Sequence, residues 1–436
     1  MSFSKRPRPS KFSYWSRDVV SECKEKLLQH QYEALTNLRE WFCKRKEKRR
    51  ALVSMPTGSG KTGVICCLPY FLAEEIPGEE GKEVSFEKPI LVIAPNVEIA
   101  SQLEQQILVS ADGQEEQNFL LRREIVPIDQ QRDVLPSGVR VEKTADVSKQ
   151  EYLRNKEVVI ANAQKFLEDS WEENLSDDLF ELVIVDEAHH FPAETWSRII
   201  RKFETHALVV FFTATPFRSD HETVVERPFA YHLTLSEARD NRIIRQTRLD
   251  ELPVDLQTRD QDTDDPKIGH DEVRVILEKV KDVQDKKNSE QPLPGNVPHM
   301  AIAICKDKEA ANHAVEMWNS QFGDRSAIGF HSGMRKQQLL KMKKKIENNK
   351  VKLVVVVAML QEGFDHPPIS IAAIMTKIVS PVKFVQFIGR AQRIVRRGGH
   401  KESPDIRADI ITHVSYQQKE NYIKFESENF IDINEA

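Results

Sequence analysis

The chain has 436 residues, room for two or three domains each with its own core. Its 40% hydrophobic and 30% charged content is that of an ordinary soluble chain, and no apolar run approaches the length of a bilayer span. A net charge of −5 and a pI of about 6.3 exclude nucleic-acid binding by bulk positive charge, so any such binding falls to local patches.

Residues 1–20, opening MSFSKRPRPSKF, are basic and proline-bearing without an apolar core, and read as a flexible arm rather than a secretory signal. Leu28, Tyr32, Leu35, Leu38 and Phe42 recur at helical spacing and predict a helix over residues 27–46. Residues 51–54 (ALVS) read as a strand, followed by a Gly-rich turn and a helix to about residue 72. Further strands are predicted at 89–95, 157–161, 182–185 and 207–213, with a helix over 98–108. Strands alternating with helices imply a doubly wound, mostly parallel α/β sheet over residues 21–250. Residues 110–148 are polar and irregular and carry no predicted element.

Residues 251–298, rich in Asp, Gln, Lys and Pro, read as a connection holding one amphipathic helix near 273–283. The α/β rhythm then restarts over residues 299–425. Strands are predicted at 301–305, 327–329, 351–357 and 370–375, and helices at 310–318, 335–347 and 382–388. Residues 426–436 read as a tail. No internal repeat is visible, although two lobes of related fold are implied.

Two strings carry the chemistry. MPTGSGKT at residues 55–62 joins a strand to a helix, the setting a phosphate-binding loop requires. Thr57, Gly58, Ser59, Gly60, Lys61 and Thr62 form its core; the glycines let backbone N–H groups approach phosphate, and the helix N-terminus adds partial positive charge. Lys61 would reach the β- and γ-phosphates, and the Thr62 hydroxyl would hold Mg²⁺. VIVDEAHH at residues 183–190 is a buried strand ending in an acidic pair, at the sheet end where α/β folds place ligands. Asp186 would hold Mg²⁺ through its water shell and Glu187 would orient and deprotonate an attacking water. His189, two residues on, is placed to sense the γ-phosphate. A third string, QFIGRAQR at residues 386–393, puts Arg390 and Arg393 three apart, so both can project from one face of a helix or turn. Guanidinium groups suit phosphate, and arginine fingers on a developing phosphoryl charge contribute a factor of roughly 10³ to 10⁵.

These strings, with TATPFR and EGFDHP, make the chain resemble the superfamily 2 helicases and translocases, most of all the excision-repair helicases and type III restriction motors. The match runs from about Leu27 to about Arg397. The resemblance implies two tandem RecA-like domains and an ATP hydrolase of DEAH-box type. Such an enzyme couples hydrolysis to movement along, or unwinding of, nucleic acid, with ATP and Mg²⁺ as cofactors. It assigns Gln31 to adenine, Gly363 and Asp365 to the nucleotide, and Gln386 with Arg390 and Arg393 to the closing motif. It assigns Thr213 and Thr215, with His189, to coupling hydrolysis to domain movement. Pro95, Asn96, Gln164, Ser332 and Gly333 would touch a nucleic-acid strand, mostly at its backbone, and the restriction likeness favours DNA over RNA. Asn96 and Val97 stand where the family usually has Thr and Arg. No strand-splitting hairpin is visible, so the alternative is a nucleic-acid-stimulated ATPase that serves as motor or sensor subunit of a larger defence or repair complex, with a partner protein.

Basic patches are offered by the N-terminal arm, residues 44–50 (KRKEKRR), 341–345 (KMKKK) and 390–401. The five cysteines contain no C-x-x-C pair, which suits a reducing intracellular compartment, cytoplasm, nucleoid or nucleus, and argues against a zinc or iron–sulfur site. Cys66 and Cys67 read as packing residues of the helix after the loop.

Overall fold

The computed structural model describes residues 10–44, 49–73, 86–111, 113–167, 170–190, 194–214, 228–253, 268–322, 325–331, 334, 336–357, 366–395 and 406–427. The chain divides into two compact units. One comprises Met1–Met55 and Gly60–Thr234; the other is Leu235–Ala436, with which the short turn Pro56–Ser59 is grouped. Among the described residues no helix is long and apolar enough to cross a membrane.

Among the described residues the first unit holds seven strands: β1 Arg50–Ser54, β2 Ile90–Ala94, β3 Gly138–Arg140, β4 Val158–Asn162, β5 Leu182–Val185, β6 Leu208–Thr213 and β7 Tyr231–His232. Their order is β3-β4-β2-β5-β6-β1-β7, and each pairing is parallel. β2, β4 and β5 are buried at every position, as parallel strands covered on both faces must be. On one side Trp171, Trp196 and Phe203 join the strand side chains in the core. The indole N–H of Trp171 donates to Phe166 O at 2.9 Å, which satisfies its one polar group. Helix Lys61–Ala73 is buried continuously from Gly63 to Leu72, and helices Lys11–Lys26 and Gln29–Lys44 pack against it.

The first of these helices corrects the expectation of a flexible arm over residues 1–20. Phe12, Ser16, Val19, Val20 and Cys23 recur at intervals of three and four and form its buried face. The Phe12 ring meets Tyr70 edge-on at 5.0 Å. Polar residues between these positions hid the stripe; residues 1–9 lie outside the described residues. In the segment 110–148, short helical turns precede edge strand β3.

The second unit holds β8 Gln246–Leu252, β9 Met300–Cys305, β10 Ala327–Phe330, β11 Leu353–Val357, β12 Ile369–Met375 and β13 Arg407–His413, in the parallel order β10-β11-β9-β12-β13-β8. Two such flanked parallel sheets make the tandem RecA-like arrangement. The boundary between units falls at Thr234/Leu235, not at 250, because β8 pairs along its length with β13. The segment expected to be a connection contains helix Ile268–Glu290, whose Ile276, Leu277 and Val280 lie in the second core. Its far end is tied down by polar groups. Gln284 Nε2 donates to His299 O and Lys352 O, and Lys287 Nζ donates to Arg407 O at 2.7 Å. Lys287 also lies 3.5 Å from Asp409, a fully buried carboxylate that Arg248 and Arg407 approach at 3.1 and 3.2 Å. Removing one member of such a buried ion cluster costs far more than a surface pair would. Helix Lys419–Glu426 ends the expected second domain and reaches only the first residue of the expected tail, of which residues 428–436 lie outside the described residues.

Candidate nucleotide site and arginine-bearing turn

β1 delivers the chain to the phosphate-loop string, and the helix from Lys61 carries it away. Within the turn, Ser59 donates to Pro56 O twice, from its backbone N at 3.2 Å and its hydroxyl at 2.7 Å. Gly58 and Gly60 have φ of 86° and 92°, a backbone that favours glycine. A Cβ on Gly60 would stand 2.5 Å from Gln31 Nε2, so the site needs the hydrogen for space as well. Thr57, Gly58, Gly60, Lys61 and Thr62 are partly exposed and Ser59 is buried.

The Lys61 side chain is 10% exposed, with its ammonium 3.9 Å from Glu187 Oε1 and 3.4 Å from Met55 O. Three donors on so few and so distant acceptors suit a group meant for an incoming anion. Met55 N in turn donates to Thr213 O, so the β6 end that carries Thr213 is fastened to the base of the loop.

The acidic pair stands at the carboxyl end of β5. Asp186 is buried, and its Oδ1 accepts the Glu187 N–H at 2.9 Å. Glu187 takes φ of 51°, a left-handed backbone that costs a non-glycine residue about 1–2 kcal/mol. The neighbouring aspartate's hydrogen bond helps hold that turn. Glu187 Oε2 is buried, lies 3.5 Å from His189 Nδ1, and accepts no hydrogen bond among the described residues. The donor set of Thr62 hydroxyl and Asp186 carboxylate is the hard oxygen chemistry Mg²⁺ takes, and the glycine cradle with Lys61 fits a triphosphate.

Gln31 is buried, and its amide is engaged at both ends: Oε1 accepts from Leu28 N at 3.2 Å, and Nε2 donates to Gly60 O at 2.9 Å. It therefore braces the loop besides any part in reading adenine. Pro95, Asn96 and Gln164 follow β2 and β4 at the carboxyl end of the sheet, with Gln164 exposed. Asn96 caps helix Val97–Ile107, its Oδ1 accepting Ile99 N at 2.9 Å. That commits one acceptor of its side chain to the helix rather than to a strand.

In the second unit, Ser380 caps helix Pro381–Ile388, which carries Gln386 on a partly exposed position. The chain leaves it through a tight turn in which the N–H groups of Arg390, Ala391 and Gln392 each donate three residues back. Arg390 lies in this turn, and Arg393 follows it in an antiparallel bridge with Ile244. Arg390 is 8% exposed. Thr215, Ser332, Gly333, Gly363 and Asp365 lie outside the described residues. Missed by sequence reasoning is Arg245, fully buried against this turn; nothing in its local string NRIIRQTR marks it as more than one surface charge among several.

The comparisons with known proteins agree on kind. The family model described as the type III restriction enzyme res subunit matches residues 24–218, and the helicase conserved C-terminal domain matches residues 293–395. A protein of Sulfolobus islandicus filamentous virus (isolate Iceland/Hveragerdi), assigned as helicase 22, is 23% identical over 276 residues, 58% of this chain and 47% of that protein. Among solved structures, Mycobacterium smegmatis Lhr bound to ssDNA and AMP-PNP superposes with a TM-score of 0.61 at 14% identity, over 96% of this chain and 50% of that one. The Type ISP restriction-modification enzyme LlaBIII bound to DNA gives 0.59 at 16%, over 89% and 28%. Saccharomyces cerevisiae Dbp5 bound to RNA and ADP BeF3 gives 0.55 at 15%, over 92% and 90%. The chain thus spans about half the length of the viral relative and of Lhr.

Proposed function

Since the chain belongs to the superfamily 2 helicases, with a type III restriction-like motor domain, we propose that it hydrolyses ATP to drive movement along, or unwinding of, DNA. The observation that carries this reading is the meeting of Lys61 and Glu187 at 3.9 Å, a phosphate ligand and a general base brought together from two strands of one sheet. Lys61 and the turn from Thr57 to Thr62 bind the phosphates. Glu187 accepts the proton of the attacking water, and His189 beside it carries the state of that carboxylate onward, with Thr213 and Thr215 as the coupling strand end. Thr62 and Asp186 would hold Mg²⁺, as in a DEAH-box enzyme, and the ion would supply neutralisation of the phosphate charge. Gln386, Arg390 and Arg393, carried by the second unit, are assigned to stabilising the phosphoryl charge that develops in hydrolysis.

DNA is the favoured track because the motor domain is of restriction type, and Lhr and LlaBIII are each described bound to DNA. The contacts fall on Pro95, Asn96, Gln164, Ser332 and Gly333 and go to the strand's backbone, so sequence preference is low. The test is steady-state ATPase activity at fixed salt, without nucleic acid and then with single-stranded and duplex DNA and RNA. Stimulation by DNA above RNA, with strand displacement or translocation on the same substrate, is the expected result. Stimulation without movement would assign the chain to the motor or sensor subunit of a larger complex. Equal activity throughout would overturn the nucleic-acid reading.

A further inference from the structure

Arg245 lies between helix Leu235–Asp240 and β8, and it is fully buried. Its Nη1 donates to Ile369 O at 2.8 Å, to Ala391 O at 2.9 Å and more distantly to Pro367 O at 3.4 Å. Its backbone is engaged with the same region: Arg245 N donates to Gln392 O at 2.6 Å, and Gln392 Nε2 donates back to Arg245 O at 3.4 Å. The preceding Ile244 forms an antiparallel bridge with Arg393. Three consecutive residues of the arginine-bearing turn, Ala391 to Arg393, are therefore fastened to the pair Ile244–Arg245. The remaining carbonyls belong to Pro367, the last residue of the EGFDHP string, and to Ile369, the first of β12.

Each of these contacts is to main chain. Burying a guanidinium is costly, and a well-packed apolar side chain of similar volume generally serves stability as well or better. Backbone carbonyls neither titrate nor change rotamer, so the single guanidinium nitrogen Nη1, which donates to both Ile369 O and Ala391 O, fixes the distance between the segments that carry them. One segment bears Arg390 and Arg393; the other follows the string assigned to the nucleotide. The arrangement suits the setting of a position better than the adding of stability.

We propose that Arg245 is a positioning residue for the finger arginines: it holds the Gly389–Arg393 turn against the entry of β12 and affects ATP turnover only through that turn. The proposal deepens the ATPase reading and rests on it. The test is a double-mutant cycle on the full chain, with Arg245→Met, Arg245→Lys, Arg393→Ala and the Arg245→Met/Arg393→Ala pair. Turnover number and KM for ATP are measured at saturating nucleic acid, with thermal unfolding in parallel. Arg245→Met should lower kcat roughly tenfold or more while KM stays within about threefold. Arg245→Lys, which keeps the charge on a less forked head, should fall between. In the Arg393→Ala background, adding Arg245→Met should cost less than about twofold, because the group it positions is gone.

Wild-type kcat in Arg245→Met, or full additivity in the pair, overturns the positioning role. Absence of wild-type turnover overturns the ATPase reading itself, a different result. Where Arg245→Met does not fold, Arg245→Lys takes its place in the same cycle.

Discussion

The two units have the same kind of sheet but hold their candidate functional residues by opposite means. In the first, almost everything is local. Lys61 reaches Met55 O six residues back, Asp186 accepts the N–H of its own neighbour, and the turn is made by two glycines and a serine inside one string. In the second, the arginine-bearing turn depends on a residue from before β8 and on carbonyls from the start of β12. A local site is broken by changing its own side chains. A site held from afar is also broken by changes that touch no ligand, and substitutions should separate the two behaviours.

The largest effect is expected at Lys61. Lys61→Ala should abolish ATP turnover and, with it, ATP binding, while the unit stays folded; retention of tight ATP binding would remove Lys61 from the phosphate site. Glu187→Gln comes next. It should keep ATP binding, stop hydrolysis and trap the chain on its strand, and turnover at the wild-type rate would refute the base assignment. Glutamine also tolerates the left-handed turn no better than glutamate, so strain is unchanged and the comparison reads chemistry. In the second unit Arg393→Ala should lower kcat by about 10³ or more with little loss of ATP affinity. A change in affinity alone would sink the finger role.

The same division sets what could be read in the sequence. β2, β5, β9 and β12 were legible because parallel strands buried on both faces are continuous apolar runs, and the placement of Asp186 and Glu187 at a strand end follows from the string itself. The turn from Thr57 to Thr62 was legible for the same reason: its fold is decided within eight residues. What escaped has its explanation at long range. β8 reads QTRLDEL, polar enough to pass for a linker, and becomes a strand only because β13 pairs with it. Helix Lys11–Lys26 looks like a basic arm until Phe12, Val19 and Val20 are seen against the helix after the phosphate loop. Arg245 follows the buried pair Ile243–Ile244, but nothing local marks its own burial, because its partners are carbonyls far away along the chain.

A smaller effect separates the units by pH. His366, directly before Pro367, is held by burial at a pKa of about 4, well below its ordinary 6.5, and its Nε2 has no hydrogen-bond partner among the described residues. A histidine whose pKa is depressed on folding binds its proton more readily when unfolded. Stability is therefore full above pH 6.5 and declines as pH falls from there toward 4. Between pH 7.5 and pH 5 the loss should be about 2 kcal/mol. Denaturant unfolding at the two pH values measures it, and His366→Gln should remove most of the dependence. An unchanged dependence in that variant would place the titrating group elsewhere.

The smallest effect tests whether the units open separately. Burial pushes the Cys66 thiol up to about 12 and the Cys67 thiol also well up, with Cys67 Sγ 3.7 Å from Cys23 Sγ on the neighbouring helix. In the second unit burial likewise raises Cys305 to about 12. All three should resist a thiol reagent in the native state, whereas half-buried Cys43 reacts. With a disulfide reagent that stays reactive in mild acid, lowering the pH to 5 should make Cys305 label before Cys66 and Cys67, because His366 weakens only the second unit. Simultaneous labelling would mean that the units unfold as one. The remote anchoring of the arginine turn would then draw on the stability of the whole chain rather than of its own sheet.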